Sequence, residues 1–209
     1  MSALRYNDET LDLEGRGVII AKIISQLTPA PLINLYVGLI MALASPIGLG
    51  PILNAGQAIL ILVLVMVVSP IAPIVYSAAR GRIDLDVSAR ESRVKFFVFS
   101  LICYAVAYII YTLLDCLILA VLAAAYLTVT SGVMIATLKT KVSVHGAGVG
   151  GPGTALLIVY GLPAFLVVLV WAAVIWSRIV LRQHNIAQAV SGVILGVLIT
   201  LPTYFFLYG

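Results

Sequence analysis

The stretch from Lys141 to Gly153, KVSVHGAGVGGPG, combines side chains that are suited to phosphate chemistry. It contains His145, one of only two histidines in the chain, with Ser143 two residues before it and Lys139 nearby. Histidine can act as a nucleophile or as a general acid near neutral pH. Cations and hydroxyl groups donate the hydrogen bonds that phosphoryl oxygens need. A helix that starts here would add free backbone N–H groups and its positive dipole end.

The second histidine, His184, lies in another short polar break, SRIVLRQHN, which also contains Arg178. The spacing between the two histidines suits one helix that runs out and a second helix that returns. Gln188 follows His184 by four residues, so on one helix their side chains would share a face and could form a hydrogen bond. We therefore expect the two breaks to meet and to form one site.

Each of these residues also has an ordinary structural interpretation. A histidine at a membrane edge is commonly an interfacial polar residue, and Arg178 and Arg182 could anchor the end of a helix. The glycines at positions 146, 148, 150 and 151 would either let a ligand approach the backbone or let helices pack closely. The joint placement of these residues is what favours a functional site.

The composition indicates an integral membrane protein. Of the 209 residues, 63% are hydrophobic and 10% are charged, and apolar runs of membrane-spanning length recur along the chain. Spanning segments must satisfy their backbone hydrogen bonds internally, so we expect an all-α, polytopic helical bundle that forms one domain, residues 1–209. The alternating pattern of a membrane barrel is absent from the sequence.

Other features of the composition exclude several classes of protein. Cys103 and Cys116 lie in or beside apolar runs, without metal-ligand spacing, and are expected in the core. The first 16 residues lack the basic start of a signal peptide, so no cleavable targeting segment is expected. The net charge of +4 comes from loops at membrane edges and does not indicate a nucleic-acid partner.

The apolar runs divide into seven candidate crossings. Residues 1–29 form a polar N-terminus followed by an interfacial helix, Gly17–Leu27, which is interrupted by Lys22 and is too short to span. Pro70 and Pro73 could kink the second crossing. The predicted spans are 31–45, 52–75, 96–113, 117–138, 144–160, 163–176 and 186–208.

The boundary at residues 161–163 decides between seven crossings and six, because one tilted span over 154–176 is the alternative. With seven crossings, all twelve Lys and Arg residues share one side of the membrane and the other side has only Asp115. With six, Arg178 and Arg182 would fall on the other side. The positive-inside rule therefore favours seven spans in a multi-pass cell-membrane protein whose site faces the cytoplasm. A functional role could also place these arginines, so sidedness is a weaker prediction than the shared face.

The second polar break resembles a motif of the type 2 phosphatidic acid phosphatase superfamily, the integral membrane lipid phosphate phosphatases. The third motif of that family is Ser-Arg, five residues, His, three residues and usually Asp. Ser177-Arg178, His184 and Gln188 are similar to it in every position except the last.

The other two motifs of the family are matched less completely. The second motif, Pro-Ser-Gly-His, is similar to VSVH, which keeps Ser143 and His145 at the same spacing. The first motif is Lys, six residues and Arg-Pro. Arg93 is the candidate for its arginine, Val94 replaces the proline and Asp86 replaces the lysine. The resemblance covers about residues 80–200, which would form a phosphatase-like core.

The resemblance implies a role for each matched residue. His184 would attack phosphorus and form a phosphohistidine, His145 would protonate the leaving oxygen, and water would hydrolyse the intermediate. Gln188 could orient the ring of His184 but could not neutralise its charge as the family's Asp does. The family needs no metal ion or other cofactor.

The resemblance also implies which residues hold the phosphate. Ser143, Arg178 and Arg93 would bind its oxygens. Lys141 could supply the cation that the first motif lacks, which is an inference from its proximity. A site at the membrane face suits a lipid phosphate or a polyprenyl or isoprenoid (di)phosphate whose tail lies in the bilayer. The sequence makes no prediction about the oligomeric state.

Two other functions remain open. An intramembrane prenyltransferase could use Asp84 and Asp86 to bind a magnesium diphosphate, but a second acidic cluster is missing on that side, since Asp115 lies on the other. These acids could instead pair with neighbouring arginines in a solvated loop. A non-catalytic lipid-phosphate binding or transport protein would account for the altered first motif and for Gln188. Binding alone would not need both histidines.

Overall fold

The computed structural model describes residues 13–87 and 89–209, and for Arg90 the backbone alone. These residues form helices joined by short links, with no strand among them. The predicted all-α bundle is therefore confirmed. In chain order, the helices are α1 (Arg16–Leu27), α2 (Ala30–Ala44), α3 (Ala55–Ala79), α4 (Arg90–Leu113), α5 (Leu117–Lys139), α6 (Val144–Tyr160), α7 (Val167–Val180) and α8 (Ile186–Leu207).

Several of these helices are long and apolar enough to cross a membrane. In the described part of the chain there are five such segments, namely α3, α4, α5, α8 and Leu162–Val180, which contains α7. The pair α1 and α2, bent by 60° at its break, would be a sixth if it forms one broken span. Helix α6 has 17 residues, or about 25 Å. The protein is a multi-pass membrane protein, and its seven crossings stay a prediction.

The prolines of α3 distort that helix. A π-helical segment, Leu62–Val68, lies just before Pro70. Proline has no N–H, so Pro70 cannot bond to the carbonyl of Met66 four residues earlier. The side chain of Asn34 in α2 donates to that carbonyl over 2.6 Å, which satisfies a buried acceptor and ties α2 to α3.

Helices α6 and α8 pack with their backbones in contact. A Cβ atom on Gly150 would collide with the carbonyl oxygen of Val193, and one on Gly196 would lie 2.5 Å from the backbone nitrogen of Gly151. A Cβ atom on Gly146 would lie 2.8 Å from the carbonyl oxygen of Ala189 in α8. At Gly146 and Gly150 the expectation that a glycine lets a ligand approach the backbone is therefore wrong. Their positions are occupied by helix packing.

Helices α6 and α7 form an antiparallel hairpin. The chain turns at Gly161, whose φ of 66° suits glycine, and continues through a 3₁₀ segment, Leu162–Leu166. The indole of Trp171 in α7 donates to the carbonyl of Val149 in α6 over 2.8 Å. On one continuous helix these two residues would be about 33 Å apart. The alternative of a single span over 154–176 is therefore wrong.

The polar breaks meet at one end of the bundle. Arg178, at the end of α7, lies 3.7 Å from Asp86 in the link before α4. The N–H of Ser143, before α6, donates to the carbonyl of Gln188 in α8 over 3.2 Å. At the opposite end, Gly50 lies against the backbone of Asp115. The predicted shared face is confirmed for these breaks, while Arg5 lies outside the described residues.

Helix α4 begins earlier than the sequence predicts. The apolar run starts at Phe96, whereas the helix starts at Arg90 and continues through the charged residues. Arg93, expected in a loop, therefore lies in the first turn of α4. Helix propagation adds one hydrogen bond per residue, so a helix anchored by an apolar span readily extends into polar sequence.

Candidate functional site

Ser143 and His145 lie at the start of α6. Ser143 is the N-cap residue, and its Oγ accepts a hydrogen bond from the N–H of Gly146 over 3.1 Å. Its side chain is fully buried. His145 is the second residue of the helix, and its Nε2 atom is buried without a hydrogen-bond partner among the described residues. It lies within electrostatic range of Arg178 and His184.

His184 is held by a tight turn at the end of α7. The N–H groups of Gln183 and His184 both donate to the carbonyl of Arg178, over 3.0 and 3.2 Å, and Arg182 adopts a left-handed φ of 53°. Asn185 caps α8 and forms a capping box with Gln188. His184 therefore precedes the helix, and the expectation that it shares a helical face with Gln188 is wrong. The turn, rather than helical spacing, positions the ring.

The surroundings of His184 favour its neutral form. Burial lowers its pKa from 6.5 to about 4, and the positive charge of Arg178 acts in the same direction. The Gln188 side chain opposes the shift, while the charges of Lys141 and Arg93 add to it. His184 is 9% exposed, and its Nδ1 atom is buried without a partner in the described part of the chain. A neutral imidazole is the form that can act as a nucleophile.

Arg178 is held by contacts on both terminal nitrogens of its guanidinium. One donates to the hydroxyl of Ser25 in α1 over 2.5 Å, and the other lies 3.7 Å from the carboxylate of Asp86. The Arg178 side chain is 4% exposed and that of Asp86 is 8% exposed. Next to it, Ser177 donates to the carbonyl of Ala21 in α1 over 3.0 Å. Helix α1 is thus one wall of the site.

The pairing of Asp86 corrects one sequence-based interpretation. The acids of this link were expected to pair with neighbouring arginines in a solvated loop, whereas the Asp86 side chain is buried and lies beside the distant Arg178 as well as within electrostatic range of the neighbouring Arg93. Asp115, the acid considered as a second ligand for a prenyltransferase, lies at the opposite end of the bundle.

Arg93 lies beside this ion pair. Its Nε donates to the carbonyl of Val87 over 2.7 Å, and the residue is 8% exposed. Val87 has a φ of 46°, which is unusual for a β-branched residue, so the link before α4 is strained where it presents this carbonyl. Arg93 lies within electrostatic range of Asp86 and Arg178. Lys141 is exposed and lies at the rim.

An apolar cavity of about 200 Å³ opens beside the charged residues. Asp86, Arg93 and His145 line its polar end. A smaller cavity of about 50 Å³ continues from it along α6. Both cavities are lined by Thr130, and most of their surface is apolar. The apolar part of the larger cavity includes Pro31, Ile71, Ile74, Phe96 and Phe97.

The structure brings six of the seven predicted site residues into one buried or half-buried cluster, with Lys141 at its rim. Ser143 has a structural role that was not expected, because its hydroxyl accepts the capping hydrogen bond of α6. The same hydroxyl can still donate a hydrogen bond to a ligand. Two further residues, Ser25 and Asp86, contact Arg178 and were not predicted as ligands of the site. Ser25 follows the buried Ala21 by four residues, and this polar position on a helix face was the available signal. The described residues contain no group of three or more His, Cys, Asp or Glu that could hold a metal ion.

Comparisons with known proteins do not assign the chain to a family. No protein-family model, curated protein or solved structure matches it. The relation to the lipid phosphate phosphatases therefore stays a prediction from three sequence motifs.

Proposed function

We propose that the chain is an integral membrane phosphatase, a divergent member of the type 2 phosphatidic acid phosphatase superfamily. Its substrate would be a lipid phosphate or a polyprenyl (di)phosphate. The observation that best supports this proposal is the cluster of two histidines and two buried arginines, in which His145 and Arg93 line the polar end of an apolar cavity. The head group would bind at the arginines and the tail would extend into the cavity.

The proposed reaction has two steps. Neutral His184 attacks phosphorus, so that a nitrogen–phosphorus bond forms and the bond to the lipid oxygen breaks. His145 gives its proton to that oxygen. Water then attacks the phosphohistidine and gives a proton to His145, so that the nitrogen–phosphorus bond breaks and inorganic phosphate, free His184 and protonated His145 result. The negative charge of a bound phosphate favours the protonated form of His145 that the first step needs.

The proposed location of the site is the cytoplasmic face of the cell membrane. The support is the gathering of Lys and Arg residues at one end of the bundle, which is the pattern of cytoplasmic loops.

A non-catalytic lipid-phosphate binding or transport protein is the second candidate. The Asp86–Arg178 ion pair favours it, because a carboxylate already occupies one side of the guanidinium that would bind phosphate. Catalysis is favoured instead by one buried nitrogen in each histidine that has no hydrogen-bond partner among the described residues, since each ring can then exchange a proton or form a bond with a ligand.

Phosphate release from a panel of lipid phosphates by the purified protein, with a chelator present, tests the proposal. We expect release by the wild type, and a loss of about a thousandfold or more in His184→Ala, because the nucleophile is gone. Ile186→Ala, an exposed position two residues later, is the control and should keep wild-type activity. Equal release by the wild type and His184→Ala would contradict the mechanism. Binding of lipid phosphates without release would favour the second candidate.

A further inference from the structure

Asp86 places a negative charge inside a group of cations. Its carboxylate lies 3.7 Å from a terminal nitrogen of Arg178, within electrostatic range of Arg93, and both members of the ion pair are almost inaccessible to solvent. Asp86 also lines the cavity, together with Arg93 and His145. A ligand that reaches the two arginines from the cavity therefore comes close to this carboxylate.

The buried charges around the cavity determine which anion fits. Arg93 and Arg178 each carry a positive charge, Asp86 carries a negative charge beside Arg178, and Asp84 lies within electrostatic range of Arg93. The two acids therefore offset part of the positive charge that an anion would meet. The second negative charge of a doubly charged anion would be repelled by Asp86 in a site with little solvent, which is costly. Lys141 is exposed at the rim and is screened by water.

We infer that Asp86 sets the charge of the phosphate group that the site accepts, so that a singly charged phosphate ester binds in preference to a doubly charged one. The inference rests on the proposed function in that it assumes that phosphate binds at Arg178 and Arg93. The substrate class that follows is a lipid phosphate monoester that binds with one proton on its phosphate group. Asp86 is then a specificity-determining residue.

Direct binding of two small anions to the purified full-length protein tests the inference without requiring catalysis. Sulfate carries two charges near neutral pH and methyl sulfate carries one. Calorimetric titrations at constant ionic strength should show that the wild type binds methyl sulfate at least as tightly as sulfate. In Asp86→Asn, we expect sulfate affinity to rise about tenfold, as for the loss of one repulsive charge, and methyl sulfate affinity to rise by about threefold or less.

Two further variants separate charge from other effects. Asp86→Glu keeps the charge and should keep the wild-type ratio of the two affinities. Glu91→Gln removes the same charge from an exposed position in the first turn of α4 and should change neither affinity by more than about twofold.

The outcomes distinguish this inference from the proposed function. If the wild type binds sulfate about tenfold more tightly than methyl sulfate, the inference is wrong, and this comparison needs no variant to fold. An unchanged ratio in a folded Asp86→Asn protein would also overturn it, while phosphatase activity would leave the proposed function standing. If the wild type binds neither anion and releases no phosphate from any lipid, both proposals fail.

Discussion

Arg178 is the residue that makes the largest number of the contacts described in the site. Ser25 holds one of its terminal nitrogens and Asp86 approaches the other, while its backbone carbonyl accepts two N–H groups of the turn that carries His184. Arg178 therefore links the phosphate-binding part of the site to the proposed nucleophile. A change at any of these contacts should affect the binding of anions before it affects the fold.

Ser25→Ala should lower kcat/KM for a lipid phosphate about tenfold, mainly through KM. The substitution removes a hydrogen bond to a charged group, typically worth about 1.5–3 kcal/mol, and lets Arg178 leave its position. Ser25→Thr keeps the hydroxyl and should restore most of the activity. Ser131→Ala on α5, whose hydroxyl bonds only to the carbonyl of Leu127, is the matched control. An unchanged KM in Ser25→Ala would argue against this role.

The lowered pKa of His184 predicts how stability depends on pH. The folded protein prefers the neutral ring, with a pKa of about 4, whereas the unfolded chain has the ordinary value of 6.5. The stabilising contribution is therefore present above about pH 6.5 and is lost as the pH falls towards 4. Unfolding midpoints measured across this range should fall less in His184→Asn than in the wild type. Parallel declines in the two proteins would contradict the assigned pKa.

At the scale of the helices, the sequence predicts well which helices form. It predicts poorly where each helix begins and which residues of other helices it contacts. The apolar runs predict every span-length helix, because spanning segments must be helical. The start of α4 at Arg90 is missed, since hydropathy marks the membrane boundary and not the end of the hydrogen-bonded helix. The spacing of motifs is sufficient to bring His145 and His184 to one end of the bundle. The pairing of Asp86 with Arg178 could not be predicted from the sequence, because no local pattern connects two residues that meet through the packing of α4, α7 and α1.

The cavity lined by residues of α2 to α6 should hold the lipid tail. Thr130 on α5 lines both parts of it, so Thr130→Trp would fill part of the space that the tail needs. We expect hydrolysis of a lipid phosphate to fall at least tenfold, while a small water-soluble phosphate ester is hydrolysed at an unchanged rate. Ile135→Trp, at a position on the same helix that is 61% exposed, is the control for adding a tryptophan. Equal loss with both substrates would indicate a general distortion instead of a blocked tail site.

At the scale of the whole molecule, the two ends of the bundle differ in charge. The end that carries the site gathers the links around Asp86, Ser143 and His184, and the other end contains Asp115 and the uncharged link near Gly50. The two ends of the bundle therefore present different charges at the two surfaces of the membrane. The proposed orientation places the charged end on the cytoplasmic side.

Labelling of single cysteines tests this orientation. In a variant without Cys103 and Cys116, a membrane-impermeant maleimide added to intact cells should label Asp115→Cys and should label Lys141→Cys only after the cells are opened. Both positions are exposed in the structure, so a difference in labelling reports the side of the membrane. Labelling of Lys141→Cys in intact cells would place the site outside.

The backbone contact between α6 and α8 also constrains how the site can move. His145 lies at the start of α6, and His184 precedes α8 by two residues, so each histidine is carried by one member of a helix pair that glycines bring into direct contact. Two helices locked in this way act as a single rigid body, and the distance between the rings is fixed before a ligand arrives. An opening that admits a head group would then come from the elements that face this pair, among them α1 and the strained link around Val87. The histidine pair is the fixed part of the site, and the walls around it are where motion is expected.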